Sequence, residues 1–302
     1  MNPARVALKG LDNLWIQVAG TRCNLSCSHC FNDSGPASRA FGLLPEAGVL
    51  AALAEAARRG AREIFFTGGE PFLHPGMPDF LSRALKLAPA TVLTNGTLID
   101  EALAVRLSGL QDEGPYSLEI RLSLDGPDRE SNDRLRGAGV FDAVMSAAGR
   151  LSARGLLPLV TVVRTWAPAD EARELGRFAS LLRSHGCARP RLKVLPRLPL
   201  GRGLAGAGPE ALWGPPSARE LAGFDLDLLM CSNSRVVTDR GVWVCPLLVG
   251  VPEARLGADL AGAAGAFELS QPACRACLLH GALCGNLNSL AEGPSLPLKE
   301  AR

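Results

Sequence analysis

Leu14-Trp15-Ile16-Gln17-Val18-Ala19-Gly20-Thr21-Arg22-Cys23-Asn24-Leu25-Ser26-Cys27-Ser28-His29-Cys30 is the stretch that decides the fold. It opens with a short apolar run of strand type, Leu14 to Val18. Three cysteines follow at C-x3-C-x2-C spacing, in what reads as the loop after that strand. Three thiolates hold three corners of a tetrahedral or cubane metal site. A [4Fe–4S] cluster held this way keeps one iron free for a small ligand. The other interpretation is a zinc site with His29 or a distant group as fourth ligand.

The same order, a strand and then a reactive loop, recurs downstream. Short runs rich in β-branched and aliphatic residues predict strands at 14–18, 62–67, 90–94, 117–124, 157–163 and 190–195. Amphipathic stretches predict helices between them at 46–59, 78–87, 100–109, 139–154 and 169–185. Arg58 and Arg59 suit the last turn of the first helix, and Asp100 suits a cap for the third. Thr67-Gly68-Gly69-Glu70-Pro71 follows the second strand. Its glycines let backbone approach a ligand, and Glu70 offers a carboxylate at the strand end. Thr94-Asn95-Gly96 and Ser123-Leu124-Asp125-Gly126 follow the next two strands. Their amide, hydroxyl and carboxylate groups suit a ribose or a carboxylate, although each string alone is also an ordinary turn. Strands alternating with helices predict an α/β fold with a parallel sheet and right-handed crossovers. Curled into a partial (β/α)6 TIM-type barrel, the sheet would gather these loops around one mouth.

Composition narrows the function classes. The chain has 302 residues, 47% hydrophobic, with mean hydropathy +0.13 and net charge +2, which fits a folded protein without a nucleic-acid footprint. No apolar run is long enough to span a membrane, and the first residues lack a secretion signal, so the expected location is cytoplasmic. Nine cysteines in a chain without a signal argue for metal ligation over a disulfide framework.

The succession CxxxCxxC, GGEP, TNG and SLDG on consecutive strands resembles the radical S-adenosylmethionine (radical SAM) superfamily over roughly residues 12–200. The resemblance implies that Cys23, Cys27 and Cys30 hold a [4Fe–4S] cluster whose free iron chelates the amino and carboxylate groups of S-adenosyl-L-methionine. It implies that one electron cleaves a carbon–sulfur bond, and that the resulting 5′-deoxyadenosyl radical abstracts hydrogen from substrate. Carried onto this chain, Gly68, Gly69 and Glu70 would contact the amino group. His29 takes the place usually filled by an aromatic beside adenine. Asn95, Ser123 and Asp125 are the small polar groups at the strand ends, with Ser123 and Asp125 on the ribose side. Arg136, in Asn132-Asp133-Arg134-Leu135-Arg136-Gly137, would pair with the cofactor carboxylate, with Arg134 the alternate and a solvated basic turn the plain alternative. Leu159-Val160-Thr161-Val162-Val163 lacks the glycine-and-glutamate motif of some members, which leaves that side of adenine unassigned. The resemblance also implies an external electron donor such as flavodoxin or ferredoxin.

A second cysteine group reads Cys231-x13-Cys245, then Cys274-x2-Cys277-x6-Cys284. It resembles the twitch and SPASM extensions of radical SAM enzymes, which bind auxiliary iron–sulfur clusters. Five thiols are too few for two fully ligated cubes, so one auxiliary [4Fe–4S] cluster is expected. Cys231, Cys245, Cys274 and Cys277 are the preferred set, with Cys284 an alternate for one of them. A structural zinc is the plainer alternative. Cys187 is expected to pack as a small hydrophobe. Arg202, in a string resembling a P-x-G-R motif, faces either the mouth or solvent. The expected organisation is a partial barrel over 1–200, a Gly/Pro-rich linker over 201–224, and a twitch/SPASM-like domain over 225–302. The polar tail 287–302 is expected to fray.

The expected function is hydrogen abstraction from a peptide or small-molecule substrate, of maturase or dehydrogenase type. The SLDG and Asp-x-x-Arg-Gly pattern is like the peptide-modifying branch, while only about a dozen residues precede the first strand, which pulls toward a small molecule or short peptide. The alternatives are a non-catalytic iron–sulfur protein that passes electrons or senses redox state, and a zinc-binding interaction module. Neither needs the GGEP and SLDG segments.

Overall fold

The computed structural model describes residues 3–206 and 214–280. Cys284 and the tail 287–302 lie outside them. The strands are β1 (Arg5–Val6), β2 (Asn13–Gln17), β3 (Glu63–Thr67), β4 (Ala90–Thr94), β5 (Leu118–Ser123), β6 (Leu159–Val163), β7 (Arg191–Leu195), β8 (Ser234–Thr238), β9 (Gly241–Trp243), β10 (Arg255–Gly257) and β11 (Phe267–Glu268). The helices are α1 (Glu46–Arg59), α2 (Met77–Ala84), α3 (Glu101–Glu113), α4 (Arg129–Arg136), α5 (Val140–Ala153), α6 (Glu171–Ser184), α7 (Ala218–Leu221) and α8 (Pro272–His280).

β2 to β7 run parallel in sequence order, each pair separated by helical crossovers. This is the α/β partial-barrel architecture expected from the alternating runs. The sheet does not end at β2. β8 lies parallel on its other edge, with Asn13 opposite Ser234, and β9 and β10 follow antiparallel. One nine-stranded sheet therefore adjoins the first cysteine loop, after β2, and two cysteines of the second group, Cys231 before β8 and Cys245 after β9, while Cys274 and Cys277 are on α8.

Side-chain alternation sorts the sheet into two faces. Leu14, Ile16, Ile64, Phe66, Val92 and Leu122 join the core beneath the helices. Trp15 and Phe65 point the other way, stacked at 4.1 Å between centroids, and form the floor of the barrel interior. Trp15, Phe65, Val236 and Trp243 belong to a second core shared with the C-terminal segment.

The helix ends follow local chemistry. α1 buries Val49, Ala52, Leu53 and Ala56, and stops at Gly60 with φ 68°, a left-handed cap that Gly adopts without strain. Asp100 caps α3 by accepting from the Leu103 amide at 2.8 Å. α4 is an element that hydrophobic periodicity did not reveal. Its sequence RESNDRLR buries only Asn132.

Candidate active site at the barrel mouth

The cysteine loop is held open by backbone. Gly69 N–H donates to the Gly20 carbonyl and Glu70 N–H to the Arg22 carbonyl, each at 2.9 Å. A Cβ on Gly69 would stand 2.2 Å from the Arg22 oxygen, so only glycine fits there. From the other side, Arg202 reaches in from a 3₁₀ turn, Gly201–Gly206. Its guanidinium donates to the Cys27 carbonyl at 2.8 Å and the Ser34 carbonyl at 2.6 Å, and its own amide to Cys30 at 3.0 Å. Arg202 is thus neither solvated nor aimed at the cavity. It clamps the cysteine loop.

Cys23, Cys27 and Cys30 line one cavity of about 220 Å³, together with Gly68, Gly69 and Asn95. Burial pushes the Cys23 thiol up to about 11, helped by the Glu70 charge. Burial also raises Cys27, against the lowering effect of Arg136. Buried thiols of this kind ionise when a metal supplies the opposite charge. Among the described residues, no three metal-ligand side chains close on a single-ion position.

Asp125 organises the far wall. It is 1% exposed. One carboxylate oxygen accepts from the Val163 amide at 2.7 Å. The other lies 2.8 Å from His29 Nε2 and 2.6 Å from Arg136 Nε. Burial would raise its pKa, but Arg136 and His29 outweigh that and hold it at about 2. His29 and Arg136 both line the cavity, as does Ser123. Arg134 is exposed on the outer side of α4. His29 Nδ1 is buried without a hydrogen-bond partner among the described residues.

Glu70 is turned away from the cavity and fully buried. Its carboxylate accepts from Thr94 Oγ1 at 2.7 Å, the Asn95 amide at 2.7 Å and the Phe72 amide at 3.1 Å. It ties the end of β3 to the end of β4. Burial pushes it up to about 7 despite those donors. Asn95 Nδ2 bonds Asn24 at 2.9 Å and lies 3.7 Å from Cys23 Sγ, tying β4 to the cysteine loop.

Cys231, Cys245, Cys274 and Cys277 line a second, smaller cavity with apolar walls that include Met230 and Leu269. Burial pushes Cys231 up to about 12, and the nearby Cys274 adds to this. Arg235 lies beneath it, fully buried. Its guanidinium donates to the carbonyls of Cys231, Ser234, Ala263 and Gly265 at 2.7–3.0 Å. Sequence reading passed over Arg235, although an arginine inside the β-branched run Ser234-Arg235-Val236-Val237-Thr238 was the available signal. Cys187 is in neither cavity. It is buried, 3.0 Å from Ser152 Oγ and packed against α5, as a small hydrophobe.

Residues 18–180 match the radical SAM superfamily. The chain belongs to that superfamily. A GTP 3',8-cyclase of Chlorobaculum tepidum is 34% identical over 179 residues, 57% of this chain and 50% of that protein. A mycofactocin maturase MftC of Mycobacterium ulcerans is 29% identical over 256 residues, 83% of this chain and 63% of the maturase. The chain thus spans between half and two-thirds of the length of these relatives. Among solved structures, Streptococcus suis SuiB bound to precursor peptide SuiA aligns with TM-score 0.60 at 17% identity, over 83% of this chain and 63% of SuiB. Native anSMEcpe with bound AdoMet aligns with TM-score 0.51 at 24% identity, over 62% of this chain and 51% of that one. At these identities the likeness is one of fold. Radical SAM membership implies a [4Fe–4S] cluster used with S-adenosylmethionine, and three thiols around one cavity are a donor set that fits it. Among the described residues, no helix is long and apolar enough to cross a membrane.

Proposed function

We propose that the protein is a radical SAM enzyme that abstracts hydrogen from a peptide substrate, with one auxiliary [4Fe–4S] cluster in the C-terminal segment. The observation that carries this is the convergence of Cys23, Cys27 and Cys30 on a cavity whose wall also holds Gly69, Asn95 and Ser123. When bound, the cluster and S-adenosylmethionine supply one-electron cleavage of a carbon–sulfur bond and a carbon radical that takes hydrogen from substrate. The chain's part is to bind, orient and exclude water.

Cys23, Cys27 and Cys30 would hold three irons. The backbone at Gly68 and Gly69 is the close approach for the cofactor's amino group. Ser123 and Asn95 present polar groups at the strand ends for the nucleoside. Asp125 keeps the His29 imidazole and the Arg136 guanidinium in place by close charge pairing with both, so His29 faces the adenine side. Arg136 adds positive charge beside Cys27, which favours an anionic cluster and a cofactor carboxylate. Glu70 acts indirectly, by fixing Thr94 and Asn95. Cys231, Cys245, Cys274 and Cys277 would hold the auxiliary cluster, because all four line one cavity. A peptide substrate is supported by relatives whose names read mycofactocin maturase and PqqA peptide cyclase, and by the fold shared with SuiB bound to a precursor peptide.

One anaerobic experiment tests both sites. Reconstituted and reduced wild type should release 5′-deoxyadenosine from S-adenosylmethionine, and Cys27→Ala should not. Cys231→Ala should lower iron from about eight to about four per chain. Undiminished deoxyadenosine from Cys27→Ala, or unchanged iron in Cys231→Ala, would refute the corresponding site.

A further inference from the structure

The cavity wall holds a cation that neither the cysteines nor the motif residues explain. Arg121 stands on β5, two residues before Ser123, and so lies one layer deeper in the barrel on the same face. It is 2% exposed and lines the cavity. Its Nε donates to Glu119 Oε1 at 2.7 Å. The other oxygen of Glu119 is taken by Arg191 Nη2 at 2.5 Å. Burial would raise Glu119, yet the two guanidiniums hold it below the usual carboxylate range. Glu119 therefore serves both guanidiniums. The Arg121 guanidinium carbon sits 5.4 Å above the Phe65 ring, which fixes its plane. Its Nη2 is buried and has no acceptor among the described residues.

A buried guanidinium N–H without an acceptor is costly in a folded protein. Here the side chain that carries it lines a cavity, so a ligand in that cavity meets the guanidinium. The rest of the wall has the same sign. Arg136 and Arg197 also line the cavity, and no Asp or Glu does among the described residues. Arg136 is matched by Asp125. Leu93 pairs with Arg121 across the sheet and lines the same cavity, whose wall also holds Trp15 and Leu195.

We propose that the cavity takes a substrate bearing a carboxylate next to an apolar group, and that Arg121 receives that carboxylate. Arg121 then sets specificity from below, while the cofactor level is set by Ser123 and Asn95 above it. Charge-assisted bonding to the Arg121 guanidinium selects an acid over its neutral amide. The proposal relies on the radical SAM assignment for the reaction the substrate undergoes, but not for its binding.

The test is a calorimetric titration of cluster-loaded enzyme, saturated with S-adenosylmethionine, using N-acetyl-leucine and N-acetyl-leucinamide as probes. The acid should bind about tenfold more tightly than the amide. Arg121→Gln should erase that gap, and Arg121→Lys should restore part of it. Affinity for S-adenosylmethionine and the iron content should stay at wild-type values in Arg121→Gln. Equal or absent binding of the two probes, a gap that persists in Arg121→Gln, or weakened cofactor binding in place of weakened acid binding would overturn the proposal. If Arg121→Gln does not fold, the wild-type gap and Arg121→Lys still decide it. An acid preference in a protein that never cleaves S-adenosylmethionine would leave this proposal standing and sink the reaction.

Discussion

Gly69 and Glu70 are neighbours with opposite tasks. Gly69 has no side chain because the Arg22 carbonyl occupies that space. Glu70 has a long one because three donors need an acceptor: Thr94 at the end of β4, the Asn95 amide after it, and the Phe72 amide in the turn that Glu70 itself opens. The sequence predicted the residue types and their place after β3. It did not tell which way the carboxylate turns, because that depends on where β4 ends in space. The buried carboxyl has a measurable signature. Its folded-state pKa of about 7 exceeds the ordinary 4.5, so the folded chain keeps its proton longer than the unfolded chain. The Glu70 contribution to stability is therefore full below the unfolded value and is lost as pH rises through 4.5 to 7. The loss is on the order of 3 kcal/mol. Glu70→Gln cannot ionise, so urea midpoints of the metal-free protein should fall less with pH in this window than in wild type. Parallel pH profiles for the two proteins would contradict the assignment.

Elements were legible in proportion to their apolar pattern. β2 to β7 and α1 lie within a few residues of the runs that predicted them; β2 to β6 and α1 bury apolar side chains at a regular spacing, and β7 is half-buried along its length with Leu192 packed against the core. α4 was missed for the converse reason. It is held by caps and polar bonds, with Asp128 accepting from the Ser131 amide at 2.9 Å and Gly137 closing the other end. Those two residues were the available signal. α4 matters to the site because it carries Arg136, and because Asn132 accepts from the Asp125 amide at 3.0 Å. Removing the cap in Asp128→Ala should cost about 1 kcal/mol, with little more from its exposed pairing to Arg177. The melting midpoint should drop by about 2–4 °C. No drop would mean that α4 is held by its flanking turns alone. β8 was missed because its residues are polar as well as β-branched. Its Ser234 and Arg235 are buried through hydrogen bonds to backbone and to Asn233, not through an apolar stripe.

At the scale of the molecule, one sheet joins the first cysteine loop to Cys231 and Cys245 of the second group, and β2 is an inner strand of it. β2 bonds β3 on one side and β8 on the other, so removing the C-terminal segment would turn an interior strand into an edge. It would also uncover Trp15 and Phe65, which pack in the core shared with Val236 and Trp243. An apolar strand with unpaired backbone groups is a template for aggregation. β1 adds a second tie, pairing Val6 with Phe267 near the far end of the described chain. A chain cut after Gly206 keeps all three N-terminal cysteines and every strand from β2 to β7. It should nonetheless elute as an aggregate in size-exclusion chromatography, while the full chain elutes as a discrete species. A discrete, cooperatively melting fragment would show that the barrel closes its own edge and that β8 is an accessory strand. The aggregate would show that the segment bearing the second cysteine group completes the barrel, so that any auxiliary cluster there is anchored to the strand from which the first cysteine loop departs.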